Sequence, residues 1–115
     1  MSSPMNASRV AFETLRTTAF GGIGVGYSLI GTLFTNNIRI LTVENRTNAA
    51  LLFSLDGVND WININAGSTY VLDLTANRTD LGGALVISSN TGVWVKQSGV
   101  PASGAVYVST IYGQF

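Results

Sequence analysis

The sequence predicts an all-β fold, an antiparallel β-sandwich or jelly roll of about seven or eight short strands with a glycine-rich extended N-terminal arm. After residue 36, apolar and polar residues alternate with a period of two in segments a few residues long, which is typical of half-buried strands. Turn-forming Gly, Asn and Asp residues separate these segments at short intervals. No segment of helical length and helical period lies among them, which disfavours an α/β fold with crossover helices.

The predicted strands follow one another from residue 39 to residue 112. Leu41 and Val43 share one face of the first of them, whereas Thr42 and Glu44 share the other. The same alternation places Val93 and Val95 opposite Trp94. The predicted strands are 39–44, 50–55, 61–64, 70–74, 85–87, 93–97 and 105–112.

Residues 1–35 are predicted to form the N-terminal arm, and residues 36–115 to form the β-sandwich domain. Val10, Phe12 and Leu15, with charged neighbours, suggest a short helix at 8–18. After that helix, apolar residues alternate with glycine or serine up to residue 29, a pattern that favours an extended segment with one nearly bare face. Such a segment can pack closely against another backbone.

Charged residues are scarce in this chain. They make up 10% of it, six Lys plus Arg and six Asp plus Glu, and the formal net charge is zero; an average soluble domain has about 25%. A neutral surface repels its own copies only weakly, so we expect a subunit of an assembly, the alternative being an ordinary β domain with an uncharged exterior. The neutral charge also argues against binding to nucleic acid through its phosphates.

The chain contains no His and no Cys. Disulfide bonds, thiolate zinc sites, Cys nucleophiles and imidazole-based catalysis are therefore excluded. We predict no cofactor, no metal and no enzymatic activity.

A charge-free stretch, 17–38, is long enough to raise the question of a transmembrane helix. It contains five glycines and ends in polar Thr and Asn residues, so it is neither a good helix former nor continuously apolar. We therefore predict no membrane span.

Three sequence features weakly suggest dinucleotide binding, calcium binding or acid–base catalysis. The glycines at 22, 24 and 26 do not match a dinucleotide fingerprint, because its third glycine position holds Leu29. Asp56, Asn59 and Asp60 offer oxygen ligands to calcium, but turn formation explains the same residues. The carboxylates available for acid–base chemistry fall at predicted turns and outward strand faces; they are Glu13, Glu44, Asp56, Asp60, Asp73 and Asp80.

Trp61 and Trp94 are candidates for ligand or surface contact. Their indoles would stack on sugars beside neighbouring Asn residues if the sandwich were a carbohydrate-binding module. The competing interpretation is packing, since aromatic side chains bury large areas in sheets and interfaces.

Five segments stand out as sheet-forming motifs that together cover most of the chain. They are the glycine-spaced residues 20–31 and the segments 40–48 (ILTVENRTN), 52–60 (LFSLDGVND), 93–97 (VWVKQ) and 103–113 (SGAVYVSTIYG). These motifs, which are not catalytic, resemble those of small structural proteins of tailed bacteriophages.

The resemblance implies a β-sandwich or jelly-roll subunit that is present in many copies in the virion. Its partners would be the major capsid protein, if it cements the head, or neck and tail proteins, with homo-oligomerisation expected in either place. We expect the arm to reach a neighbouring subunit; the alternative is that it forms the first strand of its own sandwich. The expected anchors are Phe20, Ile23, Val25, Tyr27, Leu29 and Phe34.

Overall fold

The computed structural model describes residues 9–74 and 86–114, and within these ranges the chain is almost entirely β-strand. One short 3-10 turn, Phe20–Gly22, interrupts the strands. The nine strands are β1 (Arg9–Phe12), β2 (Arg16–Ala19), β3 (Ser28–Leu29), β4 (Ile40–Asn45), β5 (Leu51–Ser54), β6 (Ile62–Ile64), β7 (Thr69–Asp73), β8 (Trp94–Gln97) and β9 (Ala105–Gln114).

The strands form two antiparallel sheets. Sheet A has the order β1-β9-β4-β7, and β2 also pairs with β9. Sheet B has the order β3-β8-β5-β6. Because β9 is ten residues long, β1 pairs with its C-terminal part while β2 pairs with its N-terminal part. The predicted antiparallel sandwich is confirmed at this level.

The pairing of the strands is nested along the chain. β2 pairs with β9, β3 with β8, β4 with β7, and β5 with β6. Two further pairings, β4 with β9 and β5 with β8, join these pairs into sheets. The chain therefore changes sheet at every connection except β1–β2 and the β5–β6 hairpin.

The core lies between the two sheets and follows the predicted alternation. Leu41 and Val43 of β4 are fully buried, while Thr42 and Glu44 between them are partly exposed. Val93 and Val95 are buried on the inner side of sheet B, as predicted. Fully buried core side chains are Ile30, Phe34, Ile38, Leu41, Val43, Leu51, Phe53, Val95, Val106 and Val108.

Six of the predicted strands are present, with bounds that differ by one or two residues. The seventh, at 85–87, begins outside the described residues; within them, Ile87 forms an isolated antiparallel bridge with Ile38.

The predicted short helix at 8–18 is wrong, because residues 9–12 and 16–19 are the strands β1 and β2. A helix of about ten residues is marginal on its own, whereas β9 offers a long edge to which both segments can hydrogen-bond. Long-range pairing has overridden a weak local periodicity.

The segment that follows, expected to be an extended arm, runs beside β8 of the same chain. Ser28 and Leu29 pair with Val95 and Trp94, and the Ile30 N–H donates to the Val93 carbonyl at 2.8 Å. The observed pairing is therefore that of a strand within its own sandwich. Both sheets contain strands from either side of residue 36.

No helix in the described part of the chain has the length and apolarity needed to cross a bilayer.

Candidate functional site

Four connections meet at one end of the sandwich, which we call the loop end: residues 20–27, 46–50, 65–68 and 98–104. Backbone hydrogen bonds join them, because antiparallel partners bring the connections of successive strands together. The Phe20 N–H donates to the Gly104 carbonyl at 3.0 Å, and the Gln97 N–H donates to the Gly24 carbonyl at 2.8 Å. The loop end is thus a single surface made from segments far apart in sequence.

Asn45, fully buried at the end of β4, braces the loop end from within. Its Nδ2 donates to the carbonyls of Ala49 and Ile64 at 2.8 and 2.9 Å. Its Oδ1 accepts from the N–H and the hydroxyl of Thr47 at 3.0 and 2.6 Å. A buried polar side chain with these partners fixes its surroundings, so Asn45 holds the 46–50 connection against the end of β6.

Gly104 allows two of these connections to approach each other. Its φ is +88°, in the left-handed region that favours glycine. A Cβ at this position would collide with the carbonyl oxygen of Arg46. The loop 98–104 can therefore lie against the start of the 46–50 connection only because residue 104 has no side chain.

The surface of the loop end is apolar at its tips and nearly free of charge. Val25 is 87% exposed and Val100 is 78% exposed, and Phe20 is 40% exposed. Within the four connections, Arg46 is the one charged residue, and its Nε lies 2.9 Å from Oε1 of Glu44. Connections at the other end of the sandwich carry Asp56 and Asp60, so the two ends differ in polarity.

The structure separates the six predicted anchors of the arm. Ile23 and Phe34 are buried in the core of their own chain, at 4% and 0% exposure. Leu29 is half-buried beside Trp94. In this conformation, Phe20 and Val25 are the anchors on the open surface of the loop end.

The remaining anchor, Tyr27, belongs to a polar cluster on sheet B. Its hydroxyl donates to Oδ1 of Asp60 at 2.6 Å, and Nζ of Lys96 lies 3.2 Å from the same oxygen. The Lys96 ammonium also lies 4.7 Å from the centre of the Tyr27 ring. Burial and the hydrogen bond to Asp60 raise the pKa of Tyr27, while the hydrogen bond from Tyr27 lowers the pKa of Asp60. The contacts of Tyr27 and Lys96 with Asp60 hold the residues around Tyr27 to the 55–60 loop.

Trp94 lies on the outer side of sheet B, but Gly57 covers part of its indole. A Cβ built on Gly57 would be 3.1 to 3.3 Å from Cε2, Nε1 and Cδ2 of the ring. Trp61 contacts Tyr70 edge-to-face at 5.4 Å between ring centroids and packs against the core. The observed contacts of both indoles are packing contacts, and their role in sugar binding stays a prediction.

A second polar cluster fastens the β1–β2 connection to residues 31–36. Glu13 and Arg16 form an ion pair of 2.6 Å with side chains only 7% exposed. Arg16 also donates to the carbonyls of Thr32 and Leu33 at 2.7 and 3.0 Å, and its guanidinium lies 4.9 Å from the centre of the Phe34 ring. Sequence reasoning missed this cluster, since the partners are about twenty residues apart in the chain.

The second carboxylate oxygen of Glu13, Oε2, accepts hydrogen bonds from Thr35 and Asn36. Burial raises the pKa of Glu13, but the hydrogen bonds from Arg16, Asn36 and Thr35 outweigh it and lower that pKa from 4.5 to about 2. A carboxylate held ionised by so many donors suits a structural clamp rather than a general acid.

The Asp56 carboxylate caps its own loop. Oδ1 accepts from the N–H groups of Val58 and Asn59 at 2.8 Å, and from the Ser54 hydroxyl at 2.8 Å. Hydrogen bonds from Asn59 and Val58 lower the pKa of Asp56. These contacts are the turn chemistry predicted for this loop. No group of three or more potential metal ligands occurs within residues 9–74 and 86–114, and Asp80 lies outside the described residues.

Comparison with known proteins provides no relative for this chain: no family model, no curated protein and no solved structure matches it.

Proposed function

We propose that the chain is a structural subunit of a bacteriophage virion, a cement or decoration subunit that binds the capsid through its loop end. The nested strand order supports the proposal. The pairs β2–β9, β3–β8, β4–β7 and β5–β6 lie in two antiparallel sheets. This nesting is the order expected of a jelly roll, and we infer that fold from it. Jelly rolls serve as viral capsid domains, lectins and cupins.

The side chains favour the first of those three classes. A metal enzyme on this fold would be expected to use imidazole ligands, and the chain has no His. A lectin would be expected to present an aromatic platform, whereas Trp61 packs on the core and Trp94 packs on Gly57. The resemblance of segments such as 93–97 and 103–113 to phage structural proteins agrees with this choice.

The loop end is suited to a neighbour of low charge. Exposed apolar side chains at its tips gain roughly 1.5–3 kcal/mol each if fully buried. Backbone hydrogen bonds at Phe20 and Gly24 already hold the 20–27 connection to its neighbours, which reduces the conformational entropy lost on binding.

The direct test of the proposed function is whether this chain is a component of a virus particle. Genes for the portal, major capsid protein and terminase should lie beside the gene for this chain, and mass spectrometry of the purified virus should detect the chain in many copies per particle. Immunogold labelling should place it over the head surface. Labelling at the neck or tail would replace the cement role with a connector role, and absence from the particle would overturn the proposal.

A further inference from the structure

A second surface, on the opposite side of the molecule from sheet B, presents several exposed apolar side chains among polar ones, whereas a solvated sheet face is normally polar. Register pairs Phe12 with Ile111 and Ile111 with Ile40, so these three side chains form one row across β1, β9 and β4. Phe12 and its neighbour Val10 are 78% and 79% exposed. The outer face of sheet A also includes Val71, 56% exposed, and Tyr107, half-buried.

We propose that the outer face of sheet A binds a second copy of this chain about a two-fold axis. This inference goes beyond the capsid contact at the loop end and does not depend on it.

The shape of this face is self-complementary, as a two-fold interface requires. The Leu15 side chain, in the β1–β2 connection, is 53% exposed and forms the protrusion that we call the Leu15 ridge. A groove of about 310 Å³ lies on one side of it, lined by residues that include Val10, Phe12 and Ile111. A groove of about 470 Å³ lies on the other side, lined with Tyr107 and Glu44. The Leu15 ridge of each copy would enter a groove of the other.

The charged side chains of this face are few. Glu44 and Arg46 have opposite signs and are paired within one copy at 2.9 Å, and Asp73 is exposed on the same face as Val71. The chain as a whole has no net charge, so two copies meet without long-range repulsion. A strongly charged partner would find no complementary field on this face.

The size of the face allows only a small interface, so the expected pair is a weak one that depends on concentration. Four strands about 4.8 Å apart, with the ten-residue β9 as the longest, make a face of at most ~650 Å². Each partner in a standard interface buries roughly 600–1,000 Å². The outer face of sheet A therefore has to be covered almost completely, which a second copy of the same face can do.

Sedimentation equilibrium of the full chain provides the test. The wild type should dimerise with rising concentration, and Val10→Asp should weaken the dimer by roughly tenfold or more, because a charge would be buried at the interface. Val58→Asp is the matched control, since Val58 is 77% exposed and lies in the 55–60 loop, away from sheet A. This control should dimerise like the wild type.

Two further variants make the outcome unambiguous. Leu15→Ser should also weaken the dimer while leaving the circular dichroism spectrum unchanged, because Leu15 is not part of the core. Val25→Asp, at the loop end, should leave self-association unchanged. A wild type that is monomeric at its highest soluble concentration, or a Val10→Asp dimer as tight as that of Val58→Asp, would overturn the proposal.

Discussion

The buried ion pair between Glu13 and Arg16 ties the edge of sheet A to residues 31–36, and it makes stability depend on pH. A carboxylate whose folded pKa lies below its unfolded value stabilises the fold above the unfolded pKa and loses that contribution as pH falls through the folded pKa. For Glu13 this interval runs from pH 4.5 to about 2. The shift corresponds to about 3 kcal/mol.

Replacing Glu13 with Gln should lower the free energy of unfolding at pH 7 by about 3 kcal/mol, because Arg16 is left buried without its counter-charge. Urea unfolding at several pH values should also show a shallower loss of stability in acid than the wild type. Glu44→Gln is the control: its pair with Arg46 is exposed and contributes less than about 1 kcal/mol. Equal effects of the two substitutions would refute the clamp.

A second prediction at the residue scale concerns the effect of Gly104 on stability. Gly104→Ala should destabilise the chain by more than about 2 kcal/mol, because strain at positive φ adds to a collision with the Arg46 carbonyl. Gly67→Ala is the matched control, with a φ of +75° but open space around the position. Thermal unfolding should rank Gly104→Ala well below Gly67→Ala; similar melting temperatures would show that the two loops are free to separate.

Among the elements, the strands after residue 36 could be predicted because each has one buried and one exposed face. Apolar and polar residues therefore alternate along each strand, and this pattern is visible in the local sequence. The burial of Leu41 and Val43 on β4 is the clearest case. β1 and β2 could not be predicted this way. Their conformation depends on the edge of β9, whose paired residues come 86 to 105 positions later in the chain, and Val10 and Phe12 are exposed although they are apolar.

The candidate site shows the same division. Phe20 and Val25 were singled out because apolar side chains are conspicuous in a glycine-rich segment, and both are exposed at the loop end. Their role as contact residues stays a prediction. Val100 was missed, since nothing local distinguishes an exposed valine from a buried one. The buried role of Asn45 was also missed, because Asn after a strand ordinarily indicates a turn.

Truncation separates the contributions of the N-terminal elements. Deleting residues 1–12 should leave a folded chain, because the side chains lost from β1 at Val10 and Phe12 are exposed. Deleting residues 1–34 should prevent folding, because it also removes Ile23, Ile30 and Phe34 from the core. Far-ultraviolet circular dichroism and urea titration distinguish the two results. A folded 35–115 fragment would mean that the N-terminal segment is dispensable to the sandwich.

At the scale of the whole molecule, charge is scarce and apolar side chains are exposed at the loop end and on the outer face of sheet A, which favours the proposed role in an assembly. The two surfaces adjoin at Arg46, but Val25 and Val100 belong only to the first, and Val10 and Phe12 only to the second. Charge substitution at one surface should leave binding at the other intact.

Binding to capsids is the measurement that tests the central proposal most directly. If a major capsid gene is found beside the gene for this chain, as the proposal expects, particles assembled from that capsid protein would be sedimented with the wild type, with the double variant Val25→Asp/Val100→Asp, and with Val58→Asp. These valines have similar exposure, 87%, 78% and 77%. We predict that the wild type and Val58→Asp co-sediment with the particles and that the double variant stays in the supernatant. Co-sedimentation of all three proteins, or of none, would contradict the proposed role of the loop end.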